Sequence, residues 1–182
     1  MPDLLTLETT WGRNPAPAGG EGQLAYLLID VSANATAEEA PAQRPRNLCM
    51  VLDHSGSMSG PKLQNLKEAV SRVIDELNPQ DTLAIIIFDE RAKVIVPSTQ
   101  ASDKEALKAA VAGIREAGGT KMSSGLTAGL EEVRRAAQPG TISRILLLTD
   151  GQTWGDAPEC ERLAAEAGQA GIPISALIAA LD

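Results

Sequence analysis

The sequence predicts an α/β protein: a Rossmann-like, doubly wound, mostly parallel sheet flanked by helices, with an N-terminal β-hairpin appendage. Three observations predict it. Short, continuous apolar runs recur between residues 47 and 181, the pattern of strands buried on both faces. They alternate with segments whose apolar residues repeat at spacings of three and four, the pattern of helices that cover a sheet. Two of the runs lead directly into aspartates, Asp53 and Asp150, at the strand ends where open parallel sheets bind ligands.

Taken in order, residues 4–11 are rich in β-formers and partly alternate, and a Pro/Gly-containing stretch, Asn14 to Gly20, then breaks the chain. Residues 23–32 read as a second strand, so residues 1–33 form a hairpin with a long loop. Its antiparallel pattern places it outside the main sheet. Residues 34–46 are small, polar and proline-containing, a linker or loop. The main domain is expected over 47–182. Asn47 to Leu52 is its first strand. Pro61 opens a helix with Leu63, Leu66, Val70, Val73 and Leu77 on one face. Leu83 to Phe88 is a second buried strand, and Val94 to Pro97 a short antiparallel one. Ser102 and Glu105 have capping-box spacing before a helix carrying Leu107, Val111 and Ile114. Leu126, Leu130 and Val133 mark another helix, and Ile145 to Leu148 a central strand. Asp156, Pro158 and Glu159 start a helix with Leu163 and Ala167, and Ile174 to Leu181 is the last strand. Numbering the five strands after the hairpin from one, a switch between the strands ending at Asp53 and Asp150 gives the order 3-2-1-4-5, with the third as antiparallel edge.

Composition narrows the function. The 182 residues can bury roughly 70% of their unfolded surface, so the core needs no staples. Sixteen basic and 24 acidic residues give a formal charge of −8, which argues against nucleic acid and suits a cation. Aromatics are 2% of the chain, too few for a base- or sugar-stacking platform. Two cysteines and one histidine cannot supply a four-ligand zinc site or a disulfide framework. No apolar run reaches the 18 or so residues of a membrane span. The first residues lack a basic, apolar leader, so the expected location is cytoplasmic.

The chemistry gathers in three loops. Asp53, Ser55 and Ser57 alternate in a tight turn, where Gly56 and Gly60 ease the backbone. Thr120 follows Gly118-Gly119, and Asp150 follows the central strand. Two carboxylates and three hydroxyls are hard oxygen donors, suited to Mg²⁺, Mn²⁺ or Ca²⁺ and not to zinc. An isolated Asp-x-Ser-x-Ser would equally suit a helix N-cap; Thr120 and Asp150 at the neighbouring strand ends weigh against that.

Asp53-x-Ser55-x-Ser57, Thr120 after Gly118-Gly119, Asp150-Gly151 and Phe88-Asp89 together resemble the von Willebrand factor type A domain with its metal-ion-dependent adhesion site. The resemblance covers residues 47–181 in order and spacing. The hairpin region is similar to the segment preceding this domain in bacterial cytoplasmic members. The resemblance implies that Ser55, Ser57 and Thr120 reach a metal through their hydroxyls, and Asp53 and Asp150 directly or through water. It implies a non-enzymatic interaction module whose ion, incompletely neutralised by two carboxylates, accepts a carboxylate from a partner protein. It also implies a sixth strand and a final helix; the sequence instead reads Ile178-Ala179-Ala180-Leu181-Asp182 and stops, so an exposed sheet edge is expected. His54, Met58, Lys121 and Trp154 adjoin the loops and are candidates for a partner-binding rim, though Trp154 equally suits a packed loop anchor, and Met58 and Lys121 ordinary loop positions. Cys49 reads as a buried, inert thiol.

The competing reading is an aspartyl-type phosphotransferase or phosphatase with Asp53 as nucleophile. Enzymes beginning Asp-x-Asp need a second carboxylate where Ser55 stands. A serine-hydrolase elbow fails because the central residue of Gly56-Ser57-Met58-Ser59-Gly60 is Met58.

Overall fold

The computed structural model describes residues 5–11, 27–33, 44–151, 153 and 155–178. It divides into two units, residues 1–43 and 44–182. In the first, β1 (Leu5–Trp11) pairs antiparallel with β2 (Leu27–Ala33), from Leu5 opposite Ala33 to Trp11 opposite Leu27. This is the expected hairpin, and it is a two-stranded sheet of its own. The start expected for its second strand, residues 23–26, and all but the last three residues of the expected linker lie outside the described residues.

The second unit holds β3 (Arg46–Asp53), α1 (Pro61–Glu76), β4 (Thr82–Phe88), β5 (Ala92–Gln100), α2 (Lys104–Ala112), α3 (Met122–Ala136), β6 (Ile142–Thr149), α4 (Ala157–Gln169) and β7 (Ile174–Ile178). The sheet order is β5-β4-β3-β6-β7, the order expected from the sequence. All pairs are parallel except β4–β5. Every β3 residue after Arg46 is buried, as a central strand covered on both faces must be. Alternation divides its side chains. Leu48, Met50 and Leu52 join Leu63, Leu66, Val70, Ile74, Leu107 and Val111 in one core. Cys49 and Val51 join Phe88, Leu126, Leu130, Ile145 and Leu163 in the other. Burial pushes the Cys49 thiol far up, with Glu132 adding to it, so it stays protonated and inert as expected.

Several local readings shift. On α1 the deeply buried residue is Ile74, while Val73 is only partly covered. The cap of α2 is not Ser102. The helix starts one residue later, and the Asp103 carboxylate accepts the Ala106 N–H at 3.0 Å. The short strand expected at 94–97 is nine residues long and runs through Pro97. An edge strand tolerates that proline, because its outer side needs no N–H donor. Buried Glu132 on α3 braces this edge: it accepts from the Ser98 N–H and hydroxyl at 2.9 Å each and pairs with Arg135 at 2.7 Å. Of the last expected strand, Ile174–Ile178 is seen, and 179–182 lie outside the described residues. Its Leu177 and Ile178 are 55% and 66% exposed among the described residues.

Helix α3 packs on the sheet through Gly125 and Gly129, four residues apart on its inner face, where no side chain would fit. A Cβ on Gly125 would sit 2.7 Å from Phe88 Cδ1 and 2.9 Å from Val51 Cγ1; one on Gly129 would sit 2.8 Å from Val51 Cγ2. Phe88 and Val51 are fully buried and have nowhere to move. Gly125→Ala should therefore destabilise the domain by about 1–3 kcal/mol, although alanine is the better helix former. Gly168→Ala on α4, where the added methyl meets nothing within 4 Å, should be neutral or stabilising. Urea unfolding of both variants checks this; a Gly125→Ala protein as stable as the wild type would refute the close-packing account.

Candidate metal centre

The site grows from the seam between β3 and β6, adjacent parallel strands in register through Leu52 and Leu148. Both strands end there, one on Asp53 and the other on Thr149 just before Asp150. Asp53 is fully buried. Its Oδ1 accepts the Ser55 N–H at 2.9 Å, which closes the turn after the strand. Its Oδ2 accepts the Thr149 hydroxyl at 2.7 Å, across the seam. The same hydroxyl accepts the Gly151 N–H at 3.1 Å, with Gly151 at φ 84, so one threonine fixes both aspartate-bearing turns. In the first turn the Ser55 and Ser57 hydroxyl oxygens converge to 3.1 Å.

The loop bearing Thr120 is laced to this turn by backbone. Ala117 N–H donates to His54 O at 2.8 Å, and Gly56 N–H donates to Gly118 O at 3.1 Å, so that Ser55 and Ala117 form a parallel bridge. On its far side Lys121 N–H donates to Asp89 O at 2.7 Å, which is where the Phe88-Asp89 pair enters the site. Thr120 itself is buried. Asp150 comes from the β6 end with its side chain only 3% exposed, and its Oδ2 accepts from Lys62 Nζ of α1 at 3.1 Å.

Four of the predicted ligands, Asp53, Ser55, Ser57 and Asp150, thus project from one β3–β6 edge, and Thr120 sits in a loop hydrogen-bonded to it. Among the described residues no group of three or more His, Cys, Asp or Glu could hold a metal. The donor set is instead two carboxylates and three hydroxyls, which fits a hard divalent cation. Two of the rim candidates are corrected. Met58 is fully buried in the core beneath the turn, because the single 3-10 turn Gly56–Met58 rolls its side chain inward. His54 is 8% exposed and braces the loop: its Nδ1 lies 2.7 Å from Arg115 O, which makes Nδ1–H the donor. Lys121 is exposed and lines a groove between the N-termini of α3 and α4, with Ser124 and Glu159. Trp154 lies outside the described residues.

Three neighbours of the candidate site escaped the sequence reading in their contacts: Thr149, Lys62 and Asp156. Asp156 was read only as a helix start. Its carboxylate accepts the Ser123 N–H at 2.7 Å, caps α3 from another helix, and also accepts from the Thr153 hydroxyl. It therefore ties the Thr120 loop to the Asp150 loop. Burial works to raise its pKa, but the bonds from Thr153 and Ser123 outweigh it and hold the carboxyl below its ordinary value. The Cys160 thiol, 3.8 Å away, is pushed up to about 11 by burial and by this charge.

A family model, the von Willebrand factor type A domain, matches residues 47–179. The chain belongs to this family. Among relatives of this von Willebrand type A chain, an uncharacterized protein of Synechocystis sp. is 37% identical over 147 residues, which is 80% of the chain but 34% of that protein. The chain thus spans about a third of that relative's length. Among solved structures, BatB from Bacteroides thetaiotaomicron superposes with TM-score 0.65 at 25% identity, covering 73% of this chain and 66% of that one. Proximal thread matrix protein 1 from the mussel byssus, with a zinc-occupied MIDAS motif, superposes with TM-score 0.63 at 24% identity, covering 73% and 35%. No helix among the described residues is long and apolar enough to cross a membrane.

Asp156→Ala should cost the domain about 1–2 kcal/mol, the loss of a helix cap that leaves the Ser123 N–H without its acceptor. Because the folded carboxyl titrates below its unfolded value of about 3.9, its contribution is present above that pH and is lost as pH falls through the folded value. The stability gap between wild type and Asp156→Ala, measured by urea titration across pH, should therefore be full at pH 6 and close in acid.

Proposed function

We propose that the domain is a metal-dependent protein-interaction module, not an enzyme. It holds one divalent cation with Asp53, Ser55, Ser57, Thr120 and Asp150, and Mg²⁺ is the ion we assign, with Mn²⁺ or Ca²⁺ able to substitute. The ion, when bound, supplies a Lewis-acidic position for one further oxygen, which we assign to an Asp or Glu carboxylate of a partner protein. The observation that carries this reading is the convergence of hydroxyl-rich turns at the β3–β6 seam, the crevice where open parallel sheets bind ligands. The manganese-loaded state of a Plasmodium vivax TRAP structure, TM-score 0.65 at 17% identity, is in keeping with it; the zinc-occupied MIDAS motif of the mussel protein shows that a site of this kind also takes zinc, which the hard-donor expectation had set aside.

The phosphotransfer alternative asks Asp53 to attack. That carboxylate is fully buried, and each of its oxygens already accepts a hydrogen bond, one from Ser55 and one from Thr149. Such a group serves better as a fixed anchor than as a nucleophile. The −8 charge of the chain further disfavours a polyanionic partner and leaves an acidic protein segment to be captured through the cation alone.

Asp53→Ala and Thr120→Ala should each weaken Mg²⁺ binding at least about tenfold, the order expected for one lost charge or one lost ligand. Asp53→Ala should also abolish any pull-down that EDTA abolishes. Calorimetry with Mg²⁺, together with pull-down from lysate with and without EDTA, measures both. Wild-type-like Mg²⁺ binding by either variant would remove that residue from the ligand set.

A further inference from the structure

We propose that Lys62 is a resident cation of the metal centre: its ammonium competes with the divalent ion for Asp150, lowers metal affinity, and leaves the loaded site with a positive charge for the incoming carboxylate. The inference rests on the metal reading above and adds to it a residue outside the five ligands.

Two observations carry it. The first is position. Lys62 Nζ lies 3.1 Å from Asp150 Oδ2, an atom whose side chain is 3% exposed, while the lysine side chain is 23% exposed and has approached from α1. The second is that its helix gives it no reason to be there. Lys62 occupies the second residue of α1, after Gly60 as N-cap and Pro61, where the helix dipole disfavours a cation, and the first turn of α1 has no acidic residue to hold it. The lysine is held instead by a carboxylate 88 residues away, across the site.

Charge counting gives the consequence. Among the groups placed at the ion, Asp53 and Asp150 with Lys62 sum to one net negative charge, with Asp89 and Glu90 further off beside Gly118 and Gly119. A divalent ion turns that into one net positive charge. Without the lysine the loaded locus would be neutral and would hold its metal more tightly. Its attraction for an anion would be weaker. At distances of a few ångströms in a largely buried setting such a charge is not screened away by salt. Lys62 therefore trades affinity for metal against attraction for the partner's carboxylate.

The test is calorimetric titration of Mg²⁺ into the whole chain, wild type, Lys62→Met, Lys62→Gln and Lys62→Arg, with thermal melts in EDTA to establish that each is folded. Lys62→Met and Lys62→Gln should bind Mg²⁺ about tenfold more tightly, the size of one removed unit charge acting near the ion. Lys62→Arg, which keeps the charge, should stay within about threefold of wild type. Lys62→Gln keeps a donor for Asp150, so it separates the charge from the hydrogen bond and stands in if Lys62→Met fails to fold. Unchanged or weaker Mg²⁺ binding by the folded neutral variants would overturn the proposal and make Lys62 a support that orients Asp150. A folded wild type that binds no Mg²⁺ would instead overturn the metal reading itself, and this proposal with it.

Discussion

The hydrogen bond from Thr149 to Asp53 is the contact on which the carboxyl edge of the sheet depends. It crosses the one seam where two central strands run side by side but connect to opposite flanks, so no local turn could hold their ends together. Fully buried, it is made in a low-dielectric setting, where a charge-assisted bond is strong and its loss would leave an uncompensated carboxylate. Through Asp53 it fixes the Ser55 turn, and through the Gly151 N–H it fixes the turn that carries Asp150. The geometry of the candidate ligands is thus set by one side-chain pair, itself placed by the parallel register of β3 and β6.

A packing constraint supplies the rest. Thr120 belongs to a loop, and loops place side chains well only when their ends are held. Here the C-terminal end is the start of α3, which Gly125 and Gly129 let down onto Val51 and Phe88. Asp156 caps that start from α4, and the backbone bonds of Ala117 and Gly118 secure the other end. The core and the site are therefore not independent: a methyl group added beneath α3 would be felt at Thr120, because a packed interior shifts rather than compresses.

The sequence showed these layers unequally. The buried strands were legible because a continuous apolar run has few alternatives, and their order followed from where two of them met aspartates. The turn of candidate ligands was legible as a cluster because Asp53, Ser55 and Ser57 lie close together in the chain. Errors arose where two neighbours competed on equal local terms. Ser102 and Asp103 both cap well, and the start of the helix decides between them. Val73 and Ile74 both fit a spacing of three or four, and both pack on the core, Ile74 fully buried and Val73 in part. Met58 reads as an exposed loop residue until the 3-10 turn rolls it into the core. Thr149, Lys62 and Asp156 could not be found by pattern at all. Their partners lie 96, 88 and 33 residues away, and no periodicity reports a bond at that separation.

The chemistry of so weakly charged a site has a thermodynamic corollary. In the proposed reading the ion is held by only two carboxylates, so neither it nor a lone partner carboxylate is captured with much surplus affinity. By linkage, whatever factor the ion contributes to partner binding, the partner contributes to ion binding. A hydroxyl-rich centre therefore suits a contact in which cation and partner arrive as a pair, whereas a carboxylate-rich cage would retain its ion in the partner's absence and leave it no unmet demand for a further oxygen. The rigidity described above serves the same end. With Asp53, Asp156 and the Ala117 bridge holding the loops before any ligand arrives, little ordering remains to be done on association, and the modest coordination energy can appear as binding.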